Sequence, residues 1–486
     1  MDFNEIPIDL RVPGSYVEVD SSRALKGSPA MPHRALIIGQ RLAAGTVAAN
    51  TPTRTVSAAE GETQAGRGSM LAAMIAAFKK ANPYTPTTMV ALDDDGAGVA
   101  HTKTITITGP ATAAGSINLY VGGQRVKTAV ASTDTGTAIA TAVAAAVNAD
   151  TSLLFTAASA LGVVTLTARN KGAAGNDVDV RLNYYDGETL PAGVGAVIAD
   201  GVAGANNPDI TAALAAIGDT QYHTIVMPYT DAANLTVLET ELSSRWGPMK
   251  MIEGHAFAAA GGTHSDITTL GDSRNSPHVT ILGGQDSPTP PYVLAAVVAA
   301  VDATATEADP NRPRQSLALP GVMAPAEADR YTYPEQDLHL RDGISTFVVD
   351  DGGVCRIQRL ITTSQTKAGV PDTSYLNVTD MRNIMYLRYS LRATVALKFP
   401  RFKLADDGAR IAPGQAITTP TRIKEVIVAL ARSDWEKKGL VENIDQFKKD
   451  LVIERDGANP DRVNALIPPD LVNGFRIFAA QIQFIK

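Results

Sequence analysis

The chain has 486 residues, of which 45% are hydrophobic and 19% are charged, and its formal net charge is −7. This composition excludes a disordered chain, and the length is enough for about three domains. The mild negative charge argues against nucleic-acid binding, and the single cysteine, Cys355, excludes an internal disulfide framework.

The charge is distributed unevenly along the chain. Lys367–Lys486 contains 19 basic and 14 acidic residues, a balance of +5, whereas residues 1–366 contain 24 basic and 36 acidic residues, a balance of −12. Such asymmetry favours a basic surface that faces an acidic partner. Scattered, solvated charges explain it equally well.

Neither a signal peptide nor a membrane span is expected. Met1–Leu10 carries three acidic residues and no basic one. The best candidate for a span, Tyr292–Val301, has about half of the roughly 20 residues required. We therefore expect a soluble protein, made in a reducing cytoplasm, with no membrane insertion.

Residues 1–30 are predicted to form an arm, because proline and glycine repeatedly interrupt any helix there. Within this arm Ser15–Val19 alternates like a strand, with Tyr16, Val17 and Val19 as its apolar positions. It has no hairpin partner beside it. The strand must therefore pair with a remote segment or with another chain.

An α/β core is predicted to follow. Arg34–Gly39 has the continuous apolar character of a buried strand, and Ser69 is expected to cap a helix over Met70–Ala81. Strands and helices alternate again further on, which predicts a largely parallel sheet covered on both faces. The segments are the strand His223–Pro228, the helix Asp231–Trp246, the strand His278–Gly283, the helix around Tyr292–Asp302 and the hairpin Ile344–Thr362.

Residues 97–205 differ in composition, with much Thr, Ala and Gly and little charge. We expect two hairpin-like strand pairs on either side of a helix over Thr137–Ala149, which together form a small inserted α+β domain. The first pair joins Thr102–Thr108 to Ser116–Gly122, and the second joins Gly162–Ala168 to Asp177–Asn183.

The C-terminal part is predicted to be mixed α+β. A long helix covers Thr379–Lys398, and a second helix has Thr419 as its cap and Pro420 at its first position. The chain then closes on an alternating strand, Arg476–Ile485. This strand has one apolar face, formed by Phe478, Ala480, Ile482 and Phe484.

No catalytic, cofactor or metal site is predicted. The adjacent residues of Gly262–Asp266 cannot form a nucleophile–base–acid line, and Ser69 lacks the G-x-S-x-G elbow. Asp93–Gly96 does not match a calcium loop, and the histidines have no metal-binding spacing. These segments are better explained as a helix start, a helix cap and an exposed turn. A metal site formed by His255, His264 and His278 is a remote alternative.

Several stretches together resemble the tail sheath protein of contractile-tailed bacteriophages, specifically its Mu-like branch. No single stretch is specific, but six occur in the family's order and cover nearly the whole chain outside the insertion. They are Val12–Asp20, Arg34–Thr46, Gly66–Pro83, Asp342–Thr363, Leu404–Gly408 and Asn459–Phe475.

The resemblance implies a non-enzymatic structural protein whose core is subtilisin-like in fold but lacks the catalytic triad. Subunits of this family form stacked six-membered rings around a tail tube, and donated terminal strands link the neighbours. The expected partners are further copies of the chain, the tube protein, and the baseplate and tail terminator proteins, with no direct contact to nucleic acid. The expected location is the virion tail, after assembly in the host cytoplasm.

On this interpretation the chain has five parts, and the basic residues Lys398, Arg401, Lys403 and Arg410 face the tube. The parts are an N-terminal arm (1–30), a sheath core (31–96 and 206–366), an outward insertion (97–205), a tube-facing domain (367–470) and a C-terminal arm (471–486). The alternatives are a hydrolase on an α/β scaffold and another tail or baseplate component. An acid and a serine within hydrogen-bonding reach of His264 would favour the hydrolase.

Overall fold

The computed structural model of the protein describes residues 11–17, 31–410, 412 and 415–485. They divide into two compact units. The larger unit consists of residues 32–386 and 471–485. The smaller unit consists of the described residues among 1–31 and 387–470.

Strands β1 to β17 and helices α1 to α8 belong to the larger unit. The strands are, in chain order, Ala35–Gln40, Pro52–Thr55, Thr87–Leu92, Thr102–Thr108, Gly115–Val121, Gln124–Val130, Phe155–Ala160, Val163–Ala168, Val180–Leu182, Gly195–Asp200, Thr224–Val226, His255–Ala260, Val279–Gly283, Ile344–Val349, Cys355–Arg359, Thr366–Lys367 and Val370–Pro371. The helices are Ala58–Ala65, Met70–Ala81, Gly136–Ala149, Thr211–Ala216, Ala232–Trp246, His264–Asp272, Pro291–Ala308 and Tyr333–Arg341.

The core of this unit is an eight-stranded sheet in the order β15-β14-β13-β12-β11-β1-β3-β2. Its six central strands are parallel, and the two edge strands, β15 and β2, are antiparallel to their neighbours. Every residue of β1, β12 and β13 is buried. These pairings confirm the predicted, largely parallel sheet. Its buried strands have continuous apolar runs because both of their faces are covered.

Several local predictions are also confirmed. Ser69 caps α2, since its side chain accepts a hydrogen bond from the backbone N–H of Ala72 at 3.1 Å. The hairpin β14–β15 turns at Asp350, whose Oδ1 accepts from the backbone N–H groups of Gly352 and Val354 at 3.0 and 2.9 Å. Thr263 likewise starts α6 with a capping box.

Helix α7, Pro291–Ala308, is the one helix in the described residues that is long and apolar enough to span a membrane. In this structure it is a core helix: it packs against α2 and β12, and 67% of it is buried. Asp302 is the charged residue on its buried side and is fully inaccessible to water.

The predicted strand pairing of residues 97–205 was wrong, although the helix and the four predicted strands exist. Strand β4 pairs with β10 and β8, whereas β5 pairs with β6 and β9. The sequence Gly122-Gly123, with positive φ at both positions, turns the chain sharply from β5 into β6. The segment therefore contains two antiparallel sheets, β10-β4-β8-β7 and β6-β5-β9, and its local hairpins are β5–β6 and β7–β8 rather than the two predicted pairs.

Asp94 joins this segment to the central sheet. Its Oδ1 accepts hydrogen bonds from Gln40 Nε2, just at the end of β1, and from Asn170 Nδ2, at 2.7 and 3.0 Å. Its Oδ2 accepts from the backbone N–H of Lys171 at 3.1 Å. Asn170 also donates to the carbonyl oxygen of Arg41 at 2.9 Å. In the predicted exposed turn Asp93–Gly96, Asp93 and Gly96 are exposed, while Asp94 is half-buried and forms a hydrogen-bonded junction.

Helix α9, Val378–Lys398, runs from the larger unit into the smaller one. In the smaller unit Trp435 is buried, and its indole N–H donates to Ser390 Oγ at 2.8 Å. The predicted helix after Thr419 is confirmed as α10. The remaining elements are β18 Lys403–Leu404, β19 Ile417–Thr418, α10 Pro420–Leu430, β20 Val441–Glu442, α11 Ile444–Asp450, β21 Val452–Arg455, β22 Val463–Leu466 and, at the border of the units, β23 Asp470–Leu471.

Candidate assembly surfaces

The last part of the chain, residues 472–485, is here called the C-terminal segment. It contains neither helix nor strand in the single chain. The residues predicted to form its apolar face, Phe478, Ile482 and Phe484, are 80%, 91% and 79% exposed. Phe475 and Ile477 are exposed as well. Such a concentration of exposed large apolar side chains marks a surface for protein association.

The first residues of this segment, 472–476, are here called the root, and they are fastened to the larger unit. Asn311 Nδ2 donates to the carbonyl oxygen of Val472 at 2.6 Å, and Arg476 Nη2 donates to Thr379 Oγ1 at 3.0 Å. A Cβ atom on Gly474 would lie only 2.9 Å from the ring of Pro313. The segment therefore leaves the unit from a fixed, closely packed point.

Beneath the root lies a buried ionic cluster formed by Asp302, Arg314 and Arg382. Arg314 Nε donates to Asp302 Oδ1 at 2.9 Å, while Arg382 donates to Oδ2 through Nε and Nη2 at 2.9 and 2.7 Å. All three side chains are at most 1% exposed. Burial alone raises the pKa of Asp302, but the two guanidinium groups outweigh it and hold the pKa well below its usual range.

Neutral histidines surround this cluster. The Arg382 guanidinium lies 5.6 Å from the ring centroid of Phe257 and also donates to the carbonyl oxygen of His223 and to Thr224 Oγ1. Burial lowers the pKa of His223 to about 3, and burial together with the Arg382 charge holds the pKa of both His33 and His255 well below the ordinary value. The imidazoles therefore add no positive charge near the guanidinium groups at neutral pH.

The N-terminal candidates are partly described. Tyr16 is 47% exposed, and its hydroxyl donates to the carbonyl oxygen of Val12 at 3.2 Å. Val17 is 85% exposed. Residues 15–17 form no strand in the single chain, and Val19 lies outside the described residues.

All four residues of the predicted basic surface are exposed, and no ion pair within the described chain involves them. Lys398 ends α9, and Arg401 follows in the left-handed region with φ 59°. Lys403 lies in β18, which pairs with β19. Arg410 follows that strand on an exposed turn, which also carries acidic residues.

The geometry around His264 does not form a triad. Its imidazole stacks on His339, with ring centroids 4.4 Å apart. The nearby carboxylate of Asp266 is bonded to Thr263, at 2.7 Å from its hydroxyl. Burial raises the pKa of the Cys355 thiol to about 11, which disfavours the nucleophilic thiolate.

Within the described residues no group of three or more His, Cys, Asp and Glu side chains is arranged to hold a metal ion. His264 contacts His339 and Tyr331, while the ring of His278 contacts Trp246. His264 and His278 therefore have different aromatic contacts, whereas His255 lies close enough to His278 for the two rings to interact electrostatically. The ionic cluster and the root were not predicted. Their one signal in the sequence is Asp302 itself, an acidic residue in a strongly apolar helix.

The chain is similar to known proteins over most of its length. The profile of the phage tail sheath protein central domain matches residues 203–363, and that of the phage tail sheath C-terminal domain matches residues 370–485. The Mu-like prophage FluMu tail sheath protein of Haemophilus influenzae is 41% identical over 484 residues, covering 99% of both chains.

Solved structures were compared with the fold. The crystal structure of a sheath tail protein from Desulfitobacterium hafniense aligns with a TM-score of 0.51 and 14% identity, covering 95% of this chain and 97% of that one. A sheath tail protein from Listeria innocua aligns with a TM-score of 0.49 and 12% identity, covering 92% and 94%. The first of these supports a shared mixed α/β fold. The chain therefore belongs to the phage tail sheath family, in its Mu-like branch, and is a structural sheath protein of a phage tail.

Proposed function

We propose that copies of this chain polymerise as stacked six-membered rings into a contractile sheath, whose shortening drives a tail tube through the host envelope. Membership of the sheath family supports this role. The observation that carries the linkage between subunits is the C-terminal segment, whose large apolar side chains are exposed although its root is fixed. Assembly takes place in the host cytoplasm.

The two ends of the chain act as donated strands. A strand added to the sheet of a neighbouring subunit gains main-chain hydrogen bonds and buries alternate side chains. In the C-terminal segment the alternate residues Phe478, Ile482 and Phe484 are then buried by the neighbour. Tyr16 and Val17, both exposed in the single chain, support the same role for the N-terminal arm. Links of this kind let subunits move during contraction without separating.

The tube-facing surface is the basic set Lys398, Arg401, Lys403 and Arg410. Four exposed cations without ion-pair partners in the described chain favour an acidic partner, which we assign to the tube protein. The baseplate and the tail terminator protein complete the list of partners, at the two ends of the sheath.

The core domain is subtilisin-like in its arrangement but performs no catalysis. The stacking of His264 on His339, and the bonding of Asp266 to Thr263, support this assignment. The insertion at residues 97–205 faces outward.

Removal of residues 477–486 tests the linkage. The root stays in place in this truncated chain, so the larger unit is expected to fold while polymers are lost in negative-stain electron microscopy. As a control for lost apolar surface, Leu161→Ser, Met249→Ser and Tyr333→Ser remove residues that are equally exposed elsewhere in that unit. Tubes formed by the truncated chain at wild-type concentration would refute the proposal.

A further inference from the structure

The root of the C-terminal segment contacts two places on the larger unit. One is the loop of residues 309–315 after α7, where Asn311 holds Val472 and where Gln315 Nε2 donates to the carbonyl oxygen of Phe475 at 3.4 Å. The other is the first turn of α9, where Thr379 accepts from Arg476. Both places are far from the segment in sequence.

Each of these two places is itself fixed by one arginine. In the loop, the Arg314 guanidinium donates to the carbonyl oxygens of Asp309 and Pro310 at 3.2 and 3.3 Å and to Thr306 Oγ1 at 2.8 Å. In α9, Arg382 lies one turn after Thr379 and binds Thr224 Oγ1 of β11 at 3.0 Å. The loop and the helix are thereby held in defined positions.

The two arginines meet on a single carboxylate, that of Asp302 in the middle of the core helix α7. One carboxylate oxygen accepts a hydrogen bond from Arg314 of the loop, and the other accepts two from Arg382 of α9. Because an unpaired charge is very costly at a site this buried, the carboxylate and both guanidinium groups stay together in the folded protein. A shift of the loop 309–315 is therefore expected to shift the first turn of α9, and the reverse.

We infer that the Asp302–Arg314–Arg382 cluster is the anchor that fixes the position and direction in which the C-terminal segment leaves its subunit. Asp302, Arg314 and Arg382 are positioning residues: buried within their own unit, they hold the two surfaces that contact the root. A force on the linked segment then reaches the core helix α7 through Asn311 and Thr379. This inference rests on the proposed function of the segment as a linker between subunits.

The grip on the root is tested by Thr379→Val and Asn311→Ala, which remove its hydrogen-bond partners and leave the segment itself intact. Thr304→Val is the matched control, because Thr304 is an exposed threonine on α7 that bonds only within its helix. Limited trypsin digestion followed by intact-mass analysis measures loss of residues 477–486 by cleavage after Arg476. Cleavage after Arg462, in the other unit, serves as the internal standard.

We expect cleavage after Arg476 to be at least about 10-fold faster in Thr379→Val and Asn311→Ala, since proteolysis follows the population of the released state. We also expect these two variants to need at least about 10-fold more protein to form tubes, with Thr304→Val unchanged in both assays. Wild-type cleavage and tube formation in both root variants would overturn the anchor.

The carboxylate is tested by Asp302→Asn and by Arg314→Lys, the milder change, which keeps the charge but loses the forked donor. In every variant that folds, we expect faster cleavage after Arg476 relative to that after Arg462. Folded variants with wild-type cleavage ratios contradict the role of the cluster. Failure of the linkage itself has a different signature, because the chain lacking residues 477–486 would then still form tubes.

Discussion

Arg382 donates two hydrogen bonds to one carboxylate oxygen of Asp302, a residue 80 positions earlier, where neither side chain is more than 1% exposed. This pair joins the core helix α7 to the start of α9. Helix α9 continues beyond Arg382 as far as Lys398.

Replacement of Arg382 by leucine leaves the Asp302 carboxylate with Arg314 as its single guanidinium partner. Loss of one partner of a buried ion pair costs about 3–5 kcal/mol, and we expect the free energy of unfolding of the larger unit to fall by that amount. Urea unfolding monitored by circular dichroism measures it. The control is Arg341→Leu, which removes an exposed helix pair and is expected to change the free energy by less than about 1 kcal/mol. Equal effects of the two changes would contradict the account.

Acid is expected to weaken the larger unit in two separate pH ranges. Six buried histidines have a lowered pKa in the folded chain, so below about pH 6.5 the unfolded chain binds protons that the folded chain excludes. Stability is therefore complete above pH 6.5 and falls as the pH decreases towards 4. Burial lowers the pKa of His278 to about 4 and that of His223 to about 3, and it also lowers the pKa of His33, His101, His255 and His339. The contribution of Asp302, whose pKa is lowered, is lost only below about pH 4.

His223→Gln tests the first range. The backbone N–H of Arg34 donates to His223 Nδ1 at 3.3 Å, and a glutamine oxygen can replace that acceptor without titrating. We expect the slope of unfolding free energy against pH to decrease by up to about 1.4 kcal/mol per pH unit between pH 6 and 5. Urea midpoints at pH 7.5, 6 and 5 measure it. A slope identical to that of the wild type would show that His223 does not contribute.

The hydrogen bonds of Asp94 are expected to protect the backbone near Lys171 from proteolysis. Asp94→Ala removes the acceptor of three hydrogen bonds, and we expect trypsin to cleave more rapidly after Lys171, whose backbone N–H is one of the donors. The neighbouring Asp95→Ala is the control, because the Asp95 carboxylate accepts from the backbone N–H of Ala97 within its own turn. If the two variants are cleaved after Lys171 at equal rates, Asp94 does not hold the insertion.

The basic surface predicts electrostatic recognition of the tube. Simultaneous change of Lys398, Arg401, Lys403 and Arg410 to glutamate is expected to abolish co-sedimentation with tail tubes and to leave the monomer folded. The matched control reverses four exposed lysines elsewhere, at positions 127, 437, 448 and 449. Wild-type binding weakens with added salt if the contact is ionic. Unchanged binding of the first variant would place the tube on another surface.

The sequence was sufficient for elements whose signals are local. Arg34–Gly39 has the apolar run of a strand buried on both faces, and Ser69 and Thr419 have the side chains of helix caps. The pairing of strands that are far apart in the chain is harder to predict from the sequence. Strand β4 pairs with β10, about 90 residues later, and the six residues of β10 include just two typical strand formers, Val197 and Ile198. The Gly122-Gly123 turn was a usable signal for β6 that was not recognised.

The candidate assembly surface shows the same difference between local and long-range features. The alternation of Phe478, Ile482 and Phe484 is readable from the sequence, because it needs no tertiary information. The structure shows these side chains exposed and outside any strand, and their role between subunits stays a prediction. The ionic cluster was not predicted, since Asp302, Arg314 and Arg382 are brought together by the packing of a helix, a loop and a second helix. A single acidic residue in a buried apolar helix predicts that a partner exists but does not identify it.

A high-resolution electron cryomicroscopy map of tubes assembled from the wild-type chain tests the central claim most directly. We predict that residues 477–485 form a strand hydrogen-bonded to a neighbouring subunit, with Phe478, Ile482 and Phe484 buried there and the root still held by Asn311 and Thr379. A map in which this segment packs against its own subunit, with neighbours joined by other surfaces, would contradict the account.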